Sequence, residues 1–170
     1  MRVRDATVDD VAAINRLYNA LVDTTTVAWT EAHEDVATRG EWLDHQGRDG
    51  NPVLVAEDDD AAVIGFASYD DFRDSVKWPG YRFIVEHTVH VDGRCHGQGV
   101  GRALMEELRR RAVAAGKHSM IGAVDADNDG SIRFHQRLGF TEVARVPQAG
   151  FKFGRWLDLV LLQRFVGDAP

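Results

Sequence analysis

HVDGRCHGQGVGRALMEELRRRAVAAG, residues 90–116, decides how the rest of the chain is read. It runs from a strand end through a glycine-rich turn into an amphipathic helix. Gly97, Gly99 and Gly101 alternate just before helical spacing begins. Such a turn aims several backbone N–H groups in one direction with no side chain in front of them. With the helix dipole behind, these groups make a seat for a phosphate or pyrophosphate. The plainer reading is a tight strand–helix connection. Two nucleotide motifs are excluded. The G-x-G-x-x-G fingerprint fails because its third glycine position holds Arg102 counted from Gly97, and Leu104 counted from Gly99. A Walker loop fails because the Gly116-Lys117 pair is followed by His118.

Working outward, the helix covers about 100–115. Leu104, Leu108 and Ala112 sit one turn apart, joined by Met105 and Ala115, and Gly116 is a suitable stop. Upstream, IVEHTVHV (84–91) lies in the longest strand candidate, about 81–91. Alternation places Glu86, Thr88 and His90 on one face and Val85, His87, Val89 and Val91 on the other. A carboxylate and an imidazole just ahead of a phosphate seat suit acid–base work. The same pattern equally describes the solvated face of an antiparallel strand.

The remaining elements follow from periodicity and turn signals. A strand covers 3–6. Thr7-Val8-Asp9-Asp10 reads as a helix start, followed by Val11, Ile14, Tyr18 and Leu21 at helical spacing. A second helix is expected over about 33–46, with Val36 and Leu43 on one side. Strands 53–57 and 63–69 flank a hairpin turn at Asp58-Asp59-Asp60. A strand at 119–124, a short helix at 131–138 and strand material at 140–146 and 156–165 complete the chain. The order β-α-α-β-β-β-α-β-α-β-β implies an α/β (α+β type) fold, a mixed sheet with helices on both faces.

The chain has 170 residues, of which 44% are hydrophobic and 28% charged, the balance of one globular domain spanning 1–170. A net charge of −7 argues against broad nucleic-acid binding. One cysteine, Cys95, excludes an internal disulfide framework, and no metal-ligand spacing occurs. A free thiol suits a reducing cytoplasm. No apolar stretch has signal-peptide or membrane-spanning character.

HGQGVG resembles the acyl-coenzyme A loop of the GNAT superfamily, Gln/Arg-x-x-Gly-x-Gly/Ala, with His96 in the first position. The departure leaves the backbone seat intact and puts the first side chain's contact in question. Longer segments carry a narrower resemblance: VEHTVHV, RALMEEL, NDGSIRFHQRLGF (128–140) and VPQAGFKFGRWLDLVLLQ (146–163). With the N-terminal VRDATVDDVAAINRLYNALVDTT, they resemble the phosphinothricin and methionine sulfoximine N-acetyltransferases from about residue 3 to 164.

This resemblance implies the GNAT fold, with a mostly antiparallel central sheet, and acetyl-CoA as cosubstrate without a metal. It implies acetyl transfer to the α-amine of a small amino-acid analogue by direct attack in a ternary complex. Glu86 matches the glutamate beside the substrate amine. An α-amino group with a pKa of roughly 8 is mostly protonated at neutral pH, so a base is needed. Backbone N–H groups would stabilise the developing oxyanion. The implied cofactor contacts are Val89, His90 and Val91 on the strand, His96, Gly97, Gln98, Gly99, Val100, Gly101 and Arg102 in the turn, and Asn128 and Ser131 downstream. His135 stands where many relatives carry a tyrosine acid and the phosphinothricin-type enzymes a histidine, and is an acid, a cofactor contact or a helix-surface histidine. Asn128 also suits a turn. Arg73, Phe72, Trp29 and Lys152 are substrate-binding candidates, with Arg155 and Trp156 as further ones; each cation is otherwise a surface charge. Relatives imply a homodimer. The alternatives are another small amine or a protein N-terminus as acceptor, or an acyl-CoA-binding regulator without turnover. Glu86 speaks against the last.

Overall fold

A computed structural model gives the architecture, and residues 1–167 are described. The strands are β1 (Arg2–Asp5), β2 (Val53–Glu57), β3 (Val63–Asp71), β4 (Ile84–Val91), β5 (Ser119–Asp125), β6 (Thr141–Lys152) and β7 (Arg155–Phe165). The helices are α1 (Val11–Val22), α2 (Val36–Asp49), α3 (Val100–Ala114) and α4 (Asp129–Arg137). The strands form one sheet in the order β1-β2-β3-β4-β5-β7-β6, antiparallel at every pairing except β4 with β5. This is the mixed, mostly antiparallel sheet expected.

Two apolar layers sandwich the sheet. On one face Ile14 and Leu17 of α1 meet Val53, Val55, Val63 and Phe66, with Trp42 and Leu43 of α2 at the margin. On the other, Leu104, Leu108 and Ala112 of α3 are fully buried against Leu54, Ala67, Val85 and Met120. Each fully buried leucine contributes about 1.5–3 kcal/mol. The α3 stripe is therefore what fixes the glycine turn against the sheet.

Local chemistry sets the element ends. The carboxylate of Asp10 accepts from the Thr7 N–H at 2.8 Å and hydroxyl at 3.1 Å, closing the entry to α1. Asp35 accepts from the Thr38 N–H at 2.7 Å, so α2 starts at Val36 rather than near 33. Val36 lies in that first turn and is half exposed; Arg39 and Gln46 are the residues α2 buries. β4 starts at Ile84 rather than 81, because Pro79–Tyr81 form a short 3₁₀ turn.

The strand pair that matters is β4–β5. It is joined only at Ile84–Ser119, Val85–Met120 and Glu86–Ile121. Beyond Glu86 the two strands splay. The Ile84 carbonyl accepts from Phe72 on the β3 side, so residues 85, 87, 89 and 91 turn their backbone groups toward the gap.

Candidate active site

The splay opens into a cleft of about 550 Å³. Val89, His90 and Val91 of β4 line one wall. Cys95, His96, Gly97 and Gly99 of the turn, with Val100, Gly101 and Arg102 of α3, line its end. Asn128, Gly130, Ser131, Phe134 and Arg137 form the opposite wall, and Leu21 and Val27 close one side. Of the cofactor residues expected from sequence, only Gln98 lies outside this lining; its amide donates to the Arg94 carbonyl at 3.0 Å.

Gly97 and Gly99 have φ of 77° and 86°, the left-handed region that side chains rarely adopt. Nothing lies within 4 Å of where a Cβ would stand at either position. Gly99 is the N-cap of α3, and no side chain caps that helix. Its first-turn N–H groups face the cleft end free of side-chain acceptors, as an anion seat requires. The cleft, the open glycine cradle and the unpaired edge of β4 together fit an elongated phosphorylated ligand carrying amides. Gly101 has a different reason: its Cβ would stand 3.2 Å from the Phe134 ring.

The His96 ring nitrogen Nε2 lies 3.1 Å from the Val91 carbonyl, so its N–H donates back to β4. Asn128 lines the cleft, and its Oδ1 accepts from the Ser131 N–H at 3.0 Å, capping α4 as its turn reading expected.

The Glu86 face of β4 is not a simple solvated face. Glu86 is half-buried and His90 is 8% exposed, against Phe66 (ring centroids 5.0 Å apart) and Tyr18. Burial, then the charge of Asp70, raises the Glu86 carboxyl above its ordinary range. Burial and the Arg39 guanidinium push His90 down to about 4, so it is neutral at pH 7. Glu86 itself lies outside the cleft lining, on the sheet face opposite Val89 and Val91.

His135 corrects the expectation of a cleft acid. It is 3% exposed, not a surface histidine, and its ring stacks on His87 at 5.0 Å. Its Nδ1 lies 2.7 Å from the Ser131 carbonyl, which can only accept, so Nδ1 carries the proton. Burial lowers its pKa, so the neutral ring presents a lone pair at Nε2 and has no proton there to donate. His87 is held well below its ordinary value by burial first, then by His135. Both His87 nitrogens and His135 Nε2 are buried without a hydrogen-bond partner. A Cβ at Gly122 of β5 would stand 2.9 Å from His87 Nε2 and 3.1 Å from His135 Nε2. Glycine is what lets two imidazoles crowd the vertex of the splay.

Lys152 is a second correction. It is 1% exposed, and its Nζ donates to the carbonyls of Val22, Thr25 and Ala28 at 2.7, 2.7 and 2.6 Å. With all three protons committed, the ammonium has none left for a substrate. Trp29 packs its ring on the backbone of Gly150, where a Cβ would stand 2.1 Å away, and does not line the cleft. Arg73 is exposed, its guanidinium carbon 5.7 Å from the Phe72 ring and 5.8 Å from Tyr81. Arg155 pairs with Asp127 at 2.9 Å, and Trp156 is exposed against Phe151. Sequence reasoning missed Asp70, His87 and Arg39 as site neighbours. Only His87, an imidazole on the apolar face of β4 with Val85, Val89 and Val91, carried a signal in the sequence; Asp70 in SYDDFRD and Arg39 in VATRGEW lie among other polar residues.

Comparison with known proteins agrees with this geometry. Residues 14–140 match the acetyltransferase (GNAT) family. The chain belongs to that family, and it is an acetyl-CoA-dependent N-acetyltransferase. It is 44% identical over 161 residues to an L-methionine sulfoximine/L-methionine sulfone acetyltransferase of Pseudomonas aeruginosa, covering 95% of this chain and 92% of the relative. A phosphinothricin N-acetyltransferase of Alcaligenes faecalis is 35% identical, with 95% of this chain and 79% of the relative covered. An acetyltransferase from Salmonella typhimurium, solved with its cofactor acetyl-CoA, superposes with a TM-score of 0.94 at 39% identity, over 100% of this chain and 96% of that one.

The glycine cradle gives a direct test. Gly99→Val places a branched side chain at φ 86° and in front of the free N–H groups of α3, where an anion would sit. Titration calorimetry with acetyl-CoA is expected to show no measurable binding; wild-type affinity would move the phosphate seat elsewhere.

Proposed function

We propose that this enzyme acetylates the α-amine of small amino-acid analogues of the methionine sulfone, methionine sulfoximine and phosphinothricin type, with Glu86 as general base in a ternary complex. The observation that carries this reading is Glu86 itself. It is a half-buried carboxylate of raised proton affinity, at the last residue where β4 and β5 are still joined.

Acetyl-CoA, when bound, supplies an activated acetyl thioester. The chain's residues do the rest. The turn at 96–102 seats the pyrophosphate, and the gap-facing backbone of Val89 and Val91 offers N–H groups to the acyl end of the cosubstrate. Val91 has its carbonyl engaged by His96, which holds the turn against the strand. Glu86, directly or through a water, takes one proton from the acceptor ammonium, and the freed nitrogen lone pair attacks the acetyl carbonyl; as the carbon–sulfur bond breaks, the nitrogen gives its second proton to the departing thiolate, leaving the neutral amide and a free thiol. A thiolate is a far better leaving group than an alkoxide, and here it takes up the proton the nitrogen sheds, so the step does not depend on a protein acid. Arg73, beside Phe72 and Tyr81, is an exposed cation suited to the acceptor's carboxylate.

A thiol-release assay with acetyl-CoA tests this against methionine sulfone, methionine sulfoximine, phosphinothricin, ordinary amino acids and short peptides. Highest kcat/KM on the first three is the expected result. Preference for a peptide would assign a protein N-terminus instead.

We further infer a cytoplasmic homodimer. β6 is a 12-residue edge strand exposed along nearly its whole length, and it carries Val143, Val146 and Phe151 at 51%, 43% and 56% exposure. Three exposed apolar side chains on an outer strand offer a packing surface to a second copy. Sedimentation velocity at micromolar concentration is expected to give a dimer; a monomer would refute it.

A further inference from the structure

Glu86 does not stand alone on its sheet face. In the β3–β4 register, Asp70 is its direct partner. Directly opposed residues of an antiparallel pair share a face with Cβ atoms about 4.5–5.5 Å apart. Like charges so placed repel, and a chain gains nothing for its fold by setting two carboxylates there.

The molecule nonetheless holds Asp70 in place. Gln46 Nε2 donates to Asp70 Oδ2 at 3.1 Å, and Asn51 Nδ2 donates to Oδ1 at 3.2 Å. Gln46 is a fully buried side chain of α2. Asn51 is set by the end of the same helix, where Gly50 turns left-handed at φ 72° and the Asn51 N–H donates to the Gln46 carbonyl at 2.9 Å. The end of α2 thus serves as a holder for one carboxylate.

The other charges around the pair do not cancel it. His45 and Asp49 of α2 lie 3.3 Å from each other. On the β5 side Glu86 is paired with apolar Ile121. Asp71, the next residue of β3, points to the other face and is held by Lys117 at 3.2 Å.

We propose that Asp70 is a positioning residue of the base: held by Gln46 and Asn51 across the strand pair, it sets a second negative charge against Glu86 and so drives Glu86 to take up the acceptor's proton. This rests on the reading of Glu86 as the base. The step is a single proton transfer. The ammonium loses one proton, the Glu86 carboxylate becomes a neutral carboxylic acid, and the Asp70 charge that opposed the ionised form ceases to oppose it. Bringing a cationic amine to the pair also relieves the repulsion between the carboxylates. The raised proton affinity of Glu86, due first to its burial and then to the charge of Asp70, accords with this arrangement.

The test is a carbon-13 NMR titration of the Glu86 side-chain carboxyl in the full-length protein, without substrates. Asp70→Asn is close in shape and keeps one acceptor. It is expected to lower the Glu86 midpoint by roughly half to one pH unit, after allowance for solvent screening. It is also expected to lower kcat at pH 7 by about two- to fivefold, as a weaker base should, with KM for acetyl-CoA unchanged. Asp70→Ser removes the same charge and should give the same midpoint shift. A midpoint within about 0.2 unit of wild type in both variants, or an unchanged kcat, overturns the proposal. A purely structural role for Asp70 would reduce stability without moving the midpoint. The midpoint is read without turnover, so failure here is distinct from failure of the base assignment, which Glu86→Gln decides alone.

Discussion

Replacing Glu86 with glutamine is expected to lower kcat at pH 7 by about 10²–10⁴-fold, the usual worth of a positioned general base. Glutamine keeps the length and planarity of the side chain and can still hydrogen-bond an amine. It cannot take a proton. KM for acetyl-CoA should stay near the wild-type value, because Glu86 lies on the sheet face opposite the cleft-lining Val89 and Val91 and outside the cleft lining. The pH profile carries the sign. A base works when ionised, so activity rises as pH climbs through the Glu86 pKa and is lost below it. Burial and Asp70 raise that pKa, so the acid limb of wild-type kcat falls at higher pH than for a free glutamate. The Gln variant should lack that limb. Steady-state kinetics across pH reads both effects, and wild-type turnover in the variant would remove Glu86 from the mechanism.

Lys152→Met should be the most destabilising single change in the molecule's polar interior. The lysine sits at the end of β6 and its ammonium ties three carbonyls of the segment that follows α1, more than a hundred residues away in the chain. Hydrogen bonds to charged groups are worth about 1.5–3 kcal/mol each, and the carbonyls left behind are partly or fully buried. Methionine fills the same volume and satisfies none of them. A loss of about 3–5 kcal/mol is expected, a large fraction of the roughly 5–15 kcal/mol of a typical domain. Urea unfolding should show a lower midpoint at unchanged slope. Lys152→Arg should not rescue it, since a planar guanidinium cannot place one nitrogen among three converging carbonyls. The segment carries Val27, which lines the cleft, so KM for acetyl-CoA should rise in any variant that still folds. A stability within about 1 kcal/mol of wild type would show the clamp to be dispensable.

The difference between these two residues shows how far one dimension reaches. Glu86 was legible because strand alternation and a motif both act over a few residues. The cofactor turn was legible for the same reason: left-handed φ at Gly97 and Gly99 is a local demand that glycine alone meets cheaply. Lys152 was misread. Next to aromatic residues in GFKFGRW it looks like a surface cation, and its three partners lie between residues 22 and 28. His135 was misplaced because helical spacing fixes a face but not what covers it. The start of α2 falls at Val36 rather than near 33 because one capping bond from Asp35 decides where the helix begins.

The order of elements, the mixed sheet and the glycine-rich turn follow from periodicities of two and 3.6 residues and from backbone preferences, which are properties of neighbours in the chain. Alternation only put Glu86 on a strand face shared with Thr88 and His90; the resemblance of VEHTVHV to a family motif is what singled it out as a base. Tertiary packing alone decides that Asp70 stands opposite Glu86, that β4 and β5 part company after Glu86, and that His135 is buried on His87 with its Nδ1 proton committed to the Ser131 carbonyl rather than offered to the cleft. Those outcomes depend on strand register and on which helix covers which face. Register and packing are settled by the burial of the whole apolar core at once, and no short stretch of chain contains that information.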